Sequence, residues 1–311
     1  MCVLLSVLFY GAWVAFGGGA DVWDSIALLG WEGWGIVLGL SLLNYGLRFV
    51  RWDLYLRQLG YRVPVWTNLR AYLAGFAFTT TPGKVGEAIR SVYLKPFGVN
   101  YTDSLAALFA ERLADLLAMI VVASMAMFAF ANARWLVGLA VLTSLVLIPL
   151  LHSRALRSWI ERRVATAESV RIRSGGTHLL TMLESSRALL RSGPLYSGFV
   201  LGLIAWAAEG YGLYIVLERI GADVPALVAS GIYGVSILAG VASFVPGGLG
   251  GTEVAMGSLL ALSGVSAPLI VAAVLICRLA TLWFAVLIGL VCLIDLELRQ
   301  VRSVDAGAGK V

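Results

Sequence analysis

Two arginines of this 311-residue chain stand in stretches too apolar to hold a charge cheaply. Arg112 lies within SLAALFAERLADLLAMIVV and Arg278 within LIVAAVLICRLATLWF. A guanidinium inside a membrane span costs on the order of 3 kcal/mol or more, so it should face the bundle interior and meet a partner. Each has a glutamate at the same distance upstream: 25 residues separate Glu87 from Arg112, and 25 separate Glu253 from Arg278. Each glutamate follows a Pro-Gly break and a glycine-rich corner, Pro82-Gly83-Lys84-Val85-Gly86 in one case and Pro246-Gly247-Gly248-Leu249-Gly250-Gly251 in the other. These residue types suit a phosphate. The guanidinium is a planar fork that binds phosphate through two parallel hydrogen bonds. Proline pre-sets a first helical turn, whose free N–H groups and positive dipole end favour an anion. Glycine lets a backbone or a head group come close. The same residues also fit a structural role, a Glu–Arg clasp in each half with glycines serving helix packing. At this level both readings stand.

The surroundings of the two arginines differ. Glu111 and Asp115 lie one turn apart beside Arg112, so a self-contained charge cluster is expected there. Arg278 has Cys277, Leu279 and Thr281 for neighbours, so its compensation must come from Glu253 or Glu209. Lys84 and Arg90 near the first break read either as site residues or as cytoplasmic anchors that extend toward the head groups. Cys2, Cys277 and Cys292 are scattered in apolar segments, which gives neither a disulfide framework nor a zinc spacing. No metal or cofactor is expected, and the absence of a G-x-x-x-x-G-K-[ST] loop leaves no ATP site.

The elements that must position these residues repeat. TTTPGKVGEAIRSVYLKPFGVNYTDSLAALFAERLADLL (79–117) and FVPGGLGGTEVAMGSLLALSGVSAPLIVAAVLICRLATL (244–282) follow one plan, and Gly60…Val63-Pro64 is echoed by Gly221…Val224-Pro225. The period is near 165 residues. With 60% hydrophobic residues, 13% charged and a mean hydropathy of +0.89, the chain is not a soluble domain, where about 25% of residues are charged. An all-α polytopic membrane protein is expected, with about six spanning helices and two re-entrant helical hairpins in two inverted-topology repeats. The spans are placed at 2–16, 34–56, 104–130, 135–151, 195–217 and 268–294. The hairpins occupy 66–95 and 226–262, with arms 66–80 and 85–94 in the first and 226–244 and 248–262 in the second. An arm of about 15 residues reaches roughly 22 Å against a hydrocarbon core of about 30 Å. Such broken backbone is tolerable at membrane depth only where protein or a water-filled cavity surrounds it. Residues 1–151 form the first repeat and 194–294 the second. Between them 152–193 is a basic cytoplasmic segment with eight arginines against three glutamates, either lying on the head groups as amphipathic helices or acting as a solvated linker. Residues 295–311 form a polar tail.

With both termini in the cytoplasm, cytoplasmic regions collect 19 of the 23 Lys and Arg residues, counting Arg48, Arg51 and Arg57 as the exit of the second span. That is the asymmetry of a protein in a cytoplasmic, or inner, membrane. It sets the two repeats upside down to one another, and inverted repeats with interrupted helices place a binding site near the midplane.

The motifs PGKVGEAIRSVYLKPFGV, LAALFAERLADLLA, VPGGLGGTE and AAVLICRLATLW resemble the lysylphosphatidylglycerol synthase transmembrane-region family, over about residues 40–294. On residue matches, Pro82, Gly83, Gly86, Glu87, Glu111, Arg112, Asp115, Pro246, Gly247, Gly250, Glu253 and Arg278 correspond to that family's patterns. The resemblance implies movement of a lipid between leaflets. No soluble aminoacyl-transferase domain follows Ile294, so lipid synthesis by this chain is not expected. The expectation is a lipid flippase and not an enzyme. A phosphate would lie near Gly83 and Gly247, held by Arg112 and Arg278. Glu87 and Glu253 would compensate the arginines or bind a cationic head group. Lys84, Arg90 and Glu209 complete the candidate substrate-binding set. Transport would be downhill or coupled to a proton or ion, Glu87 being a candidate carrier, and would proceed by rocking of one repeat against the other. The expected partners are membrane lipids and no nucleic acid, with room for an oligomer. The alternatives are a membrane-embedded glycosyl- or aminoacyl-transferase and a non-transporting envelope scaffold.

Overall fold

A computed structural model of the chain describes residues 19–128 and 192–308, and between them only positions 138, 142, 153, 158, 159, 161, 162, 180, 184–186, 188 and 189. The span expected at 2–16, all of that expected at 135–151 but positions 138 and 142, most of the basic segment 152–193, the end of the tail and the side chains of 82–85 lie outside the described residues.

The described residues are helical, without a strand. In chain order they form α1 (Gly19–Leu28), α2 (Gly30–Gln58), α3 (Val65–Ala74), α4 (Arg90–Leu94) and α5 (Tyr101–Ser124). After the gap come α6 (Ser192–Arg219), α7 (Ala226–Ala242), α8 (Gly251–Leu262), α9 (Ala267–Arg278) and α10 (Phe284–Ala308). Among the described residues, three stretches are long and apolar enough to cross a membrane: Gly30–Gln58, Gly193–Arg219 and Ala267–Arg299. Along the first and last of these, Leu42, Leu43, Val50, Leu287, Val291 and Ile294 are exposed, as side chains facing lipid should be. The 24-residue α5 has the length to cross, but Asp103, Glu111, Arg112 and Asp115 interrupt its apolar character.

The echo of Gly60…Pro64 in Gly221…Pro225 has a local cause. Gly60 (φ 91°) and Gly221 (φ 85°) are left-handed, a conformation open to glycine. Each closes a helix with the same pair of bonds: Tyr61 N donates to Leu56 O and Gly60 N to Arg57 O, while Ala222 N donates to Leu217 O and Gly221 N to Glu218 O. Pro64 and Pro225 then open α3 and α7. Both segments are helices interrupted by a break. In the first, α3 runs through a 3₁₀ segment (Gly75–Phe78) to the break, and a second 3₁₀ segment (Pro82–Ile89) returns into α4. In the second, α7 and α8 flank a short 3₁₀ turn at Pro246–Gly248. The two breaks touch each other.

The second break corrects one expectation. Pro246 does not begin the returning helix, which starts at Gly251. Gly247, Gly248 and Gly250 all have positive φ (67°, 66° and 83°), so the backbone turns left-handed and cannot continue a helix from the proline. Phe244 just before it has φ 53°, the only positive value for a non-glycine among the described residues.

Helices α2 and α6 pack together antiparallel. Asn44 Nδ2 donates to Ala205 O at 2.9 Å and, seven residues along, Arg51 Nη1 donates seven residues back to Gly198 O at 3.4 Å. Each half also holds the other's hairpin. Helix α7 lies on α5, where a Cβ on Gly231 or Gly234 would strike the backbone of Ala126 or Ala123. In the mirror arrangement α3 and its 3₁₀ extension lie on α10, where a Cβ on Gly289 would strike the backbone of Phe76 and Ala77. Glycine allows these close crossings.

Candidate functional site

Glu111 is the centre of the first charge cluster. Helix α5 carries it with Arg112 and Asp115, α2 presents Arg48 and Arg51, and the returning arm of the first hairpin adds Glu87 and Arg90. Glu111 is fully buried and stands 3.4 Å from Arg48, 3.5 Å from Arg51, 3.1 Å from Arg90 and 2.9 Å from Arg112. The Tyr72 hydroxyl donates to it at 2.8 Å. Asp115 takes Arg51 at 2.7 Å and Arg112 at 3.2 Å, and accepts Trp206 Nε1 at 2.9 Å. Glu87 takes Arg90 at 3.0 Å and Arg112 at 3.6 Å, with Thr79 Oγ1 donating at 3.4 Å. Arg90 lies over the rings of Trp52 and Tyr72, at 4.2 and 4.8 Å from their centroids, which supports a guanidinium taken out of water.

Two members of this cluster contradict the sequence reading. Arg48 and Arg51 were expected at the cytoplasmic exit of the second span, yet they are 5% and 0% exposed inside the bundle. The reason is length: α2 continues to Gln58, so both arginines lie well inside it. A signal existed in their i, i+3 spacing, which puts them on one face as a pair aimed at a common partner. Arg90, expected either as a site residue or as an anchor, is 1% exposed and belongs to the cluster.

The second half is sparer. Arg278 Nε lies 2.7 Å from Glu253 Oε1, and its Nη2 donates to Gly247 O at 2.7 Å. Of the two acids expected to compensate Arg278, Glu253 pairs with it directly, and a Glu–Arg contact exists in both halves. It is tight at Glu253–Arg278 and loose at Glu87–Arg112, because Arg90 takes the nearer place on Glu87. Glu209 accepts a short hydrogen bond from the Tyr233 hydroxyl. The turn at Gly247, where an anion was expected, is described by its backbone bonds. Gly247 turns its carbonyl toward Arg278, and Gly248 N donates to Val245 O at 2.9 Å. After it, Gly250 precedes the true start of α8.

Contacts across the halves are paired. Tyr45 and Trp206 are separated by the same 161 positions as Asn44 and Ala205. Trp206 donates to Asp115 of the first half, and Tyr45 donates to Thr281 O of the second at 2.6 Å. Asp115 and Thr281 are themselves equivalent, each three residues beyond Arg112 or Arg278. A π-helical turn at Leu279–Trp283 includes the Thr281 carbonyl that Tyr45 meets.

Between the halves lies a cavity of about 400 Å³. Arg48, Glu87, Arg112 and Asp115 line it from the first half and Glu209 and Arg278 from the second, with Tyr45, Phe76, Trp206 and Tyr233 as aromatic walls. Both breaks reach it, through Thr79 and Thr81 and through Phe244, Val245, Gly247 and Gly248. Gly86 packs beside this lining, its N–H donating to Thr81 Oγ1 at 2.8 Å. Arg112 is the least buried of the five arginines, its side chain 26% exposed. No group of His, Cys, Asp and Glu among the described residues is arranged to hold a metal ion. The site can bind a charged group in an apolar setting.

A family model described as "Lysylphosphatidylglycerol synthase TM region" matches residues 3–289. Among curated proteins, a UPF0104 membrane protein of Pyrococcus horikoshii is 25% identical over 268 residues, covering 77% of this chain and 80% of its own. A UPF0104 membrane protein of Methanothermobacter thermautotrophicus is 25% identical over 307 residues, covering 92% of this chain and 90% of its own.

Proposed function

Since the chain belongs to the lysylphosphatidylglycerol synthase TM-region family of integral membrane proteins, we propose that it is a flippase that carries a phosphate-bearing lipid between leaflets. The observation that carries this reading is the cavity of about 400 Å³ where two backbone breaks meet, walled by guanidinium groups from both halves. That volume lies at the small end of ligand pockets and suits a head group whose tails remain in lipid. Arg112 and Arg278 take the phosphate, with Arg48 behind them. The chain is a transporter and not an enzyme. Movement is downhill or coupled to an ion through a membrane carboxylate such as Glu87.

The two halves are read as inverted repeats with re-entrant hairpins, in an inner membrane with cytoplasmic termini. Antiparallel contact between equivalent residues, Asn44 and Ala205, supports this, because equivalent residues touch only at a pseudo-twofold axis. Sidedness is supported as well. Glu32 and Arg219, both assigned to the outer side, pair at 3.1 Å, while Arg70 and Asp295, both assigned to the inner side, pair at 3.3 Å.

The test is transport in proteoliposomes, following a tail-labelled fluorescent phospholipid by dithionite quenching. Arg278→Lys keeps the charge but loses the fork, and should slow flipping by about tenfold while leaving the melting temperature near wild type. Wild-type protein that accelerates no phospholipid above protein-free vesicles refutes the reading.

A further inference from the structure

Two surface corners of the first half have equivalents in the second, built on the same backbone bonds. The corner between α2 and α3 matches that between α6 and α7, through the caps at Gly60 and Gly221. The corner between α4 and α5 matches that between α8 and α9. There Gly98 N (φ 81°) and Gly264 N (φ 82°) donate to Lys95 O and Ala261 O, both at 3.0 Å. Asn100 and Ser266 then open the next helix, their carbonyls accepting Ser104 N and Ile270 N at 3.0 Å. Where the backbone makes the same demands, a difference in exposed side chains reports on what lies outside.

The side chains differ in sign. Arg57 and Arg62 stand where Glu218 and Asp223 stand 161 positions on, and all four are exposed. Lys95 stands where Ala261 does, also exposed. Trp66 is 71% exposed and Tyr101 43%, against Leu227 and Ala267 at the equivalent places. The two first-half corners adjoin: the Tyr61 hydroxyl accepts from Asn100 Nδ2 at 3.0 Å and donates to Asp103. Lys95 Nζ lies 5.2 Å from the centre of the Tyr101 ring. Asp53 engages Arg57 at 2.7 Å, whereas Arg62 and Lys95 form no ion pair among the described residues.

We infer that this edge of the first half is a docking surface for anionic lipid, with Arg62 and Lys95 on the phosphate and Trp66 and Tyr101 at head-group level. Guanidinium and ammonium groups both bind phosphate, the first as a fork and the second as a point charge. The occupant is a lipid and not a soluble anion, because the cations stand among exposed aromatic rings whose apolar bodies favour the membrane interface. Glu218 and Asp223 on the matching edge would repel the same head group, so one backbone plan carries two edges of opposite preference. On the sides assigned above, the basic edge meets the cytoplasmic leaflet, where anionic lipids attract such groups. None of these four residues lines the cavity, and the inference stands apart from the flippase reading.

The experiment places the full chain in phosphatidylcholine vesicles with a trace of phosphatidylglycerol that carries a diazirine near the head of one acyl chain. After illumination, peptide mapping by mass spectrometry reads labelling edge by edge. Residues 59–66 and 95–101 should be labelled more than 220–227 and 261–267, and more than by the same probe built on phosphatidylcholine. Arg62→Gln with Lys95→Gln should lower phosphatidylglycerol labelling of the first edge about 25-fold, about fivefold for each cation. Arg62→Lys with Lys95→Arg keeps both charges and should keep most of the labelling. Equal labelling of the two edges, no preference for phosphatidylglycerol, or unchanged labelling in the neutral variant overturns the inference. So does an equal loss in the charge-keeping variant, which would mark a structural role. Flipping does not enter the reading, so a wild-type protein that moves no lipid but labels as expected supports the inference while the transport reading fails.

Discussion

Arg278 and Glu253 form the one charged pair that the sequence announces by spacing and the structure closes directly, at 2.7 Å with both side chains buried. Removing one partner leaves the other charge in a dry site, so Arg278→Ala should cost about 3–5 kcal/mol of stability, read as a fall in melting temperature in detergent. Replacing both, as Glu253→Leu with Arg278→Met, should return most of that loss, because an apolar pair of similar volume avoids the desolvation of two ions. Transport should stay abolished in both variants. A double variant that is stable and still transports would remove this pair from the substrate path. Such pairs were legible because a buried charge demands a partner and the 25-residue interval repeats. Arg48 and Arg51 were not, since an arginine near the end of an apolar run looks the same whether the helix stops there or continues. Only the bundle decides, by offering Glu111 and Asp115 at that depth.

At the scale of the element, hairpin ends were legible to within a few residues. Gly60-x-x-x-Pro64 and Gly221-x-x-x-Pro225 each spell the close of one helix and the opening of the next. The returning arm of the second hairpin was misread because proline signals a first helical turn only when the following residues stay right-handed. Here three glycines do not. Phe244, with φ 53° and 81% exposed, holds an aromatic side chain in a conformation that ordinarily favours glycine. Phe244→Gly should therefore stabilise the protein by roughly 1 kcal/mol, since the left-handed penalty is relieved and little packing is lost. Chemical denaturation in detergent checks this. If flipping falls in the same variant, the ring at the cavity mouth contributes to lipid passage. An unchanged or lower stability would mean that the ring packs against something that holds the turn.

For the whole molecule, cysteines placed at Asp24 and Asp223 should label from the periplasmic side, and those at Ser169 and Asp305 from the cytoplasmic side. Labelling of Asp24 and Asp223 from opposite faces would undo the inverted arrangement. Repetition was legible across the chain because the caps, breaks and buried pairs recur at nearly constant distance. What could not be read is that the halves are interlocked, since a glycine at a helix crossing looks like any other glycine until its neighbour's backbone is seen. Rocking of one half against the other would have to carry a hairpin of each half along with the other. With α7 bedded on α5 and α3 on α10, the two hairpins also meet at their breaks, Pro82–Ile89 against Pro246–Gly248.

The same embrace sets an order on biogenesis. The first hairpin rests on a helix that begins at Phe284, so the groove receiving Phe76 and Ala77 does not exist until some two hundred further residues have left the ribosome. Until then Arg90 and Glu87 must wait on a hairpin with one side open to lipid or to the insertion machinery. Contacts this distant in sequence form late. A nascent chain stalled before Phe284 would therefore lack the helix against which Phe76 and Ala77 pack.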